Sequence, residues 1–315
     1  MPTALITGVG GQDGGYLAER LLADGVEVHA LALPGDDVGI DGVHLHTGDV
    51  ADLDATRASI LEVAPDEVYN LAGLSSVARS WDEPGLTARV NGLAAAGLMG
   101  AAHDVGARFV QASSAEIFGL PDRSPQDEDT PVRPANPYGA AKAYAHFMVE
   151  VYRRRGLHGT SLVLYNHESP RRPAHFVTRK ISSGVAAIAA GHAGRISLGN
   201  LAARRDWGWA PDYVEAMVLA ARATTPRDYV VATGEAHSVE EFAAAAFGCI
   251  GIADWSSYVD VDPALIRPVD APALVGDASR IREELGWQPT VDFGELVRRM
   301  VEADRLLLET ATPPG

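Results

Sequence analysis

The chain has 315 residues, of which 47% are hydrophobic and 22% charged, a balance that excludes a disordered chain and allows a sizeable core. Acidic residues outnumber basic ones by 42 to 26, a formal charge of −16, which repels nucleic acid and acidic membrane surfaces. No apolar run reaches the ~20 residues of a membrane span, the opening MPTALITG lacks the basic flank of a signal peptide, and the single Cys249 excludes an internal disulfide, so the expectation is a cytoplasmic protein with no metal site.

Along the first half, short Val/Leu/Ile-rich segments bounded by Gly, Pro or Asp read as buried strands at 3–7, 27–33, 43–46, 67–71, 108–112 and 160–164. Helical periodicity fills the gaps at 16–23, 52–63, 86–105 and 137–155. Such alternation predicts the α/β class: a Rossmann-type doubly wound parallel sheet, joined to a smaller C-terminal substrate-binding domain. After Asn166 the pattern is broken by Pro170, Pro173, Gly191, Gly194 and Gly199. A helix at 212–223 and a strand at 229–232 return the chain to the main sheet. Residues 1–165 and 207–233 are therefore expected to form the dinucleotide-binding domain, and 166–206 with 234–315 the substrate domain.

The run Thr7-Gly8-Val9-Gly10-Gly11-Gln12-Asp13-Gly14 follows the first strand and opens the first helix. Gly8, Gly11 and Gly14 allow a tight turn, close approach of a pyrophosphate and close helix–strand packing. The helix N-terminus then offers N–H groups and positive partial charge to phosphates. After the second strand, Leu33-Pro34-Gly35 supplies neither an acid for a ribose hydroxyl nor an arginine for a 2′-phosphate; Asp36 and Asp37 are loop acids within reach. Asp49 and Val50, after the third strand, are expected against the adenine.

Tyr138 and Lys142 are four residues apart, hence on one face of a helix. A fixed ammonium beside a phenol stabilises the phenolate, which makes Tyr138 a candidate general base. The segment Gln111-Ala112-Ser113-Ser114-Ala115-Glu116 ends the fifth strand on the edge where open sheets bind ligands.

Together, TGVGGQDG, SSAEIFG, NPYGAAK and NHESPRRPAHFVTRKIS resemble extended short-chain dehydrogenase/reductases. Within that group, NHESPRR, FVTRKI, LGNLAARRDWG, DYVEAM and ATGEAHSVEEF resemble the GDP-mannose 4,6-dehydratase family over nearly the whole chain. The resemblance implies that Tyr138, Lys142 and Ser114 oxidise a hexose at carbon 4. Glu116 would then remove the carbon 5 proton and assist loss of the carbon 6 hydroxyl as water. It further implies that Gly8, Gly11, Gln12, Asp13, Gly14, Leu71, Ala72, Gly73, His167 and Arg172 contact the dinucleotide. Ser75, Asn166, Lys180, Arg205, Arg267 and Asp270 would face a nucleotide sugar, GDP-mannose by the same resemblance.

Four departures from the family pattern stand out. Leu33-Pro34 replaces paired arginines, and the following loop is short. NADP is thus implied by resemblance while NAD stays open, and a homodimer packed through the helices at 86–105 and 137–155 is expected rather than a tetramer. Ala72-Gly73-Leu74-Ser75-Ser76-Val77 replaces a more polar run beside the sugar. Ser114 stands for threonine, and Asp270 for glutamate. Two further readings remain: a nucleotide-sugar 4-epimerase or 4-reductase, which needs no Glu116, and a non-catalytic dinucleotide-binding protein.

Overall fold

A computed structural model describes residues 1–36, 38–266, 271 and 273–311. The expected Asp37, Arg267 and Asp270 sites lie outside these. The first half alternates as the hydrophobic pattern predicts: β1 (Thr3–Thr7), α1 (Gln12–Ala23), β2 (Glu27–Ala32), β3 (Val43–Thr47), α2 (Leu53–Val63) and β4 (Glu67–Asn70). Then come α3 (Val77–Asp82), α4 (Pro84–Ala88), α5 (Ala94–Val105), β5 (Arg108–Ala112), α6 (Pro137–Arg153) and β6 (Gly159–Leu164).

Beyond lie β7 (Asn166–Glu168), α7 (Val177–Ala189), β8 (Ile196–Leu198), β9 (Arg204–Trp209), α8 (Ala210–Arg222) and β10 (Tyr229–Val231). The chain ends in β11 (Ala236–Ser238), α9 (Val239–Gly248), β12 (Val259–Val261), β13 (Ala273–Leu274), α10 (Ser279–Leu285) and α11 (Phe293–Ala311). Among the described residues no helix is long and apolar enough to cross a membrane.

Seven strands form one sheet in the order β10-β6-β5-β4-β1-β2-β3, every neighbour pair parallel. Parallel strands expose both faces to helices, and the side chains divide by alternation. Ala4 and Ile6 of β1 join a core with Leu17 and Leu21 of α1, Met217 of α8 and Trp287. Leu5 points the other way, into a core with Ile60 of α2, Leu98 and Met99 of α5 and Val149 of α6. Chain order reverses between β1 and β4, so the loops leaving Thr7 and Asn70 part and open a crevice at the carboxyl edge.

A third core is built from residues 177–301: Ile181 and Val185 of α7, Phe242 and Phe247 of α9, Trp207 of β9, and Leu296, Val297 and Met300 of α11. It lies behind a four-stranded sheet in which β9 pairs with β7, β11 and β13.

Most expected bounds hold to within two residues, and three expectations differ by more. α1 starts at Gln12 rather than 16, so Gly14 lies inside the first helical turn. The helix expected at 86–105 is broken by a π-helical segment, Arg89–Leu93, between α4 and α5. The Pro- and Gly-punctuated remainder hides three long helices, α7, α9 and α11.

Candidate active site

The glycine loop is held by backbone contacts that leave no room for a side chain at Gly8 or Gly14. Gly8 has φ +76°, and a Cβ there would lie 2.8 Å from the Ala72 nitrogen. A Cβ on Gly14 would collide with the Gly8 carbonyl. Gly11 caps α1 without a side-chain acceptor, so the first-turn N–H groups face the crevice. Thr7 ties this turn to β4: its hydroxyl donates to Asn70 Oδ1 at 2.8 Å and accepts from the Leu71 and Ala72 nitrogens at 3.2 and 3.1 Å. Beside the loop is a cleft of about 300 Å³ lined by Val9–Gln12, Gly15, Glu19, Val38–Ile40 and Arg171.

The opposite wall comes from the segment after β6. His167 is 8% exposed; Nδ1 donates to the Tyr165 carbonyl at 2.7 Å and Nε2 to Asp13 Oδ2 at 2.8 Å. Burial, the largest influence, would lower its pKa, but the charge of Asp13 and this hydrogen bond outweigh it and raise the value. Asp13 moves the other way: burial is again largest, and His167 overcomes it to hold the carboxyl low. Both shifts describe one ion pair. Gln12 completes the clamp, its Nε2 donating to the His167 carbonyl at 3.1 Å and its Oε1 accepting from Ser169 Oγ at 2.8 Å. Gln12, Asp13 and His167 thus fasten the glycine loop to the wall facing it.

Arg172 differs. Its guanidinium lies 3.6 Å over the Phe176 ring, and its buried Nε makes no hydrogen bond although Glu168 Oε2 is 3.1 Å away. The charge of Arg172 is paired with Glu168, so what it would offer an anionic pyrophosphate is the unfilled Nε–H.

Tyr138 and Lys142 project from the start of α6 against the end of β5. Lys142 is 6% exposed, donates to the Ala112 carbonyl at 2.9 Å and lies 5.9 Å from the Tyr138 ring centre. Burial pulls its pKa down to about 8. Burial pushes Tyr138 up to about 12; the Ser114 hydroxyl pulls it down, Glu116 pushes it up, and Arg172 lowers it. Ser114, Glu116 and Arg172 therefore all act on this phenol. Ser114 Oγ also accepts the Glu116 N–H at 3.2 Å. Glu116 is half-buried, with Oε2 accepting from Asn136 Nδ2 at 2.8 Å.

Two neighbours escaped the sequence reading. Asn91, in the π-helical segment and 2% exposed, accepts from the Leu74 nitrogen at 2.8 Å and donates to its carbonyl at 3.0 Å. It thereby fixes the loop after β4 next to Lys142. Asn136 caps α6, accepting the Gly139 N–H at 2.7 Å; Asn directly before a helical Pro was the available signal.

Other expected residues are less tightly drawn in. Val50 packs with Leu31, Ala72, Val90 and Ala94, while Asp49 is exposed and accepts from the Ala51 nitrogen at 2.8 Å. Gly73 and Ser75 lie on the loop after β4, and Asn166 and Lys180 are half-buried. Arg205 is 7% exposed and donates to the Arg204 and Ala271 carbonyls at 2.7 and 2.9 Å. Among the described residues no cluster of metal-ligating side chains occurs.

A family model described as GDP-mannose 4,6 dehydratase matches residues 5–300. GDP-mannose 4,6 dehydratase 2 of Arabidopsis thaliana is 43% identical over 323 residues, 96% of this chain and 86% of the relative. The GDP-mannose 4,6 dehydratase of Homo sapiens is 42% identical over 343 residues, 98% of this chain and 92% of the relative. Among solved structures, the UDP-glucose 4-epimerase of Thermus thermophilus in complex with NAD superposes with a TM-score of 0.86 at 30% identity, covering 96% and 99% of the two chains. The glycine cradle, the Tyr138/Lys142 pair and the acid at Glu116 sit within a match spanning almost the whole sequence: the chain belongs to the GDP-mannose 4,6-dehydratase family.

Proposed function

We propose that this chain is a nucleotide-sugar 4,6-dehydratase that converts GDP-mannose to its 4-keto-6-deoxy derivative. One observation carries the reading: Ser114 and Glu116 follow the carboxyl end of β5, Lys142 of α6 donates to Ala112 at that strand end at 2.9 Å, and Asn136, two residues before Tyr138, holds Glu116 Oε2 at 2.8 Å. A bound nicotinamide dinucleotide would supply the hydride acceptor for carbon 4 and the hydride donor for carbon 6. Tyr138, with Ser114 on its oxygen and Lys142 as the nearby cation, takes the proton of the carbon 4 hydroxyl. Glu116 removes the carbon 5 proton, acidified by the adjacent ketone, and delivers a proton to the departing carbon 6 hydroxyl, which leaves as water. A carboxylate suits this double task because it serves as base and then as acid.

The residues fit a nicotinamide dinucleotide: the glycine loop and α1 N-terminus would hold the pyrophosphate, and Arg172, paired with Glu168, would offer its unfilled Nε–H. NAD is the form we favour. Residues 33–42 contain no Lys or Arg, Asp36 Oδ2 accepts the Leu33 N–H at 3.2 Å, and Arg171 is already paired with Glu19 at 2.7 Å. A 2′-phosphate would meet an acid and an arginine whose charge is already matched, so NAD should exceed NADP in kcat/KM by about tenfold or more. Equal use of the two would remove this preference.

The dinucleotide is assigned to residues 1–165 and 207–233, whose core also takes in Ala278, Ile281 and Trp287; the nucleotide sugar is assigned to 166–206 and the rest of 234–315, whose core also takes in Trp207, and there Asn166, Lys180 and Arg205 would meet the substrate. The exposed thiol of Cys249 suits a cytoplasmic setting. Incubation with GDP-mannose and NAD, followed by mass spectrometry, tests the activity. Loss of one water supports dehydration. An unchanged mass with inverted stereochemistry would instead mark a 4-epimerase, for which Glu116 has no task.

A further inference from the structure

Asn136 spans the two halves of the candidate site. Its Oδ1 accepts the Gly139 N–H at 2.7 Å, and its Nδ2 donates to Glu116 Oε2 at 2.8 Å. A backbone N–H only donates and a carboxylate only accepts, so the two ends together fix which way the amide points. Capping α6 needs the oxygen alone, and Ser or Asp would cap as well. The nitrogen is therefore surplus to the cap, and it is spent on the acid. At 8% exposure the side chain has little freedom to turn away. Gly139 adds a second grip, because its α-carbon abuts the Glu116 carbonyl with no space for a Cβ. Among the described residues Glu116 Oε1 makes no hydrogen bond or ion pair and stays available for chemistry.

We propose that Asn136 is a positioning residue for the elimination step: it pins Glu116 Oε2 to the first turn of the helix bearing Tyr138 and Lys142, leaving Oε1 to move the carbon 5 proton. This rests on the assignment of Glu116 as the acid–base group. Phenol, ammonium and carboxylate then move as one unit, so a sugar placed for oxidation at carbon 4 is also placed for proton removal at carbon 5.

The test uses full-length enzyme, NAD and GDP-mannose carrying deuterium at carbon 5. Asn136→Asp keeps the cap and the shape but turns a carboxylate oxygen toward Glu116. Two facing carboxylates hold a proton to higher pH, so the acid limb of the kcat profile should move up by about one unit or more. At neutral pH kcat should fall by about tenfold or more with KM nearly unchanged. The carbon 5 isotope effect should grow. Asn136→Ser, which caps without bringing a second charge, should melt within a few degrees of wild type, show the larger isotope effect, and lose about twofold or less when added to Glu116→Gln.

Unchanged isotope effects and an unmoved acid limb, with activity falling only as far as melting temperature falls, would reduce Asn136 to a helix cap and overturn the proposal. The underlying assignment fails separately: Glu116→Gln retaining wild-type dehydration would remove it, whatever Asn136 does.

Discussion

Burial works against charge on both members of the Tyr138/Lys142 pair. The phenol is pushed up to about 12 and the ammonium down to about 8. For Tyr138 to act as base, positive charge beside the phenol must offset this burial: that of Lys142, and that which an oxidised nicotinamide would add. Tyr138→Phe should lower dehydration about 10³-fold while dinucleotide binding, followed by calorimetry, stays within a few-fold of wild type. Retained turnover would show that another group takes the hydroxyl proton.

The Asp13–His167 pair yields a pH prediction with a definite sign. His167 has a raised pKa, so its contribution to stability is complete below its ordinary 6.5 and is lost as pH rises through the raised value. Asp13 has a lowered pKa, so its contribution is present above its ordinary 3.8 and is lost as pH falls through the lowered value. His167→Gln should therefore cost about 3 kcal/mol at mildly acidic pH, where the buried ion pair is intact. The difference in melting temperature should shrink as pH rises past the titration of His167. A pH-independent gap would mean that packing against Tyr213, 4.4 Å away, matters more than charge.

At the scale of elements, the site depends on how closely α6 approaches the turn after β5. Gly139→Ala would force a Cβ into the Glu116 carbonyl, shifting either the acid or the helix. Dehydration should drop by about tenfold or more, since small misplacements of a reacting group are costly, while circular dichroism stays near wild type. Full activity would show that the turn has slack.

Much of this architecture was legible because its code is local. Alternation of apolar segments marked every strand of the main sheet, and glycine spacing marked the turn at Thr7. Tyr138 and Lys142 announced themselves by helical spacing. What stayed hidden depends on partners far along the chain. Gln12 and His167 are 155 residues apart, and no period or composition signals their contact. The π-helical segment at Arg89–Leu93 has the same apolar periodicity as the helix around it. Helix α11, an amphipathic 19-residue stretch, was obscured by the prolines before it.

At the scale of the molecule, α6 and the adjoining π-helical segment display Leu93, Tyr144, Phe147 and Val151, each about half exposed. On α6 these recur at three- and four-residue spacing and form one apolar stripe. A stripe of this kind marks an association surface, and it is the face that the homodimer expected from the sequence would use. Phe147→Glu should convert the protein to monomer in sedimentation, with the melting temperature falling as the protein is diluted toward dissociation in wild type only. A wild-type monomer would refute the assignment.

Trp287, with its indole nitrogen 2.7 Å from the Asp212 carbonyl, belongs to the core beneath β1, and Thr290 is bound to the Asp212 carboxylate by its nitrogen at 2.9 Å and its hydroxyl at 2.6 Å. The dinucleotide half is thus closed by a segment 75 and more residues beyond Asp212 in the chain. A ribosome-bound chain released before residue 290 would carry an open apolar floor and invite chaperones or aggregation. Limited proteolysis between α9 and α10 should accordingly abolish cooperative melting of the whole protein, rather than free a stable N-terminal fragment.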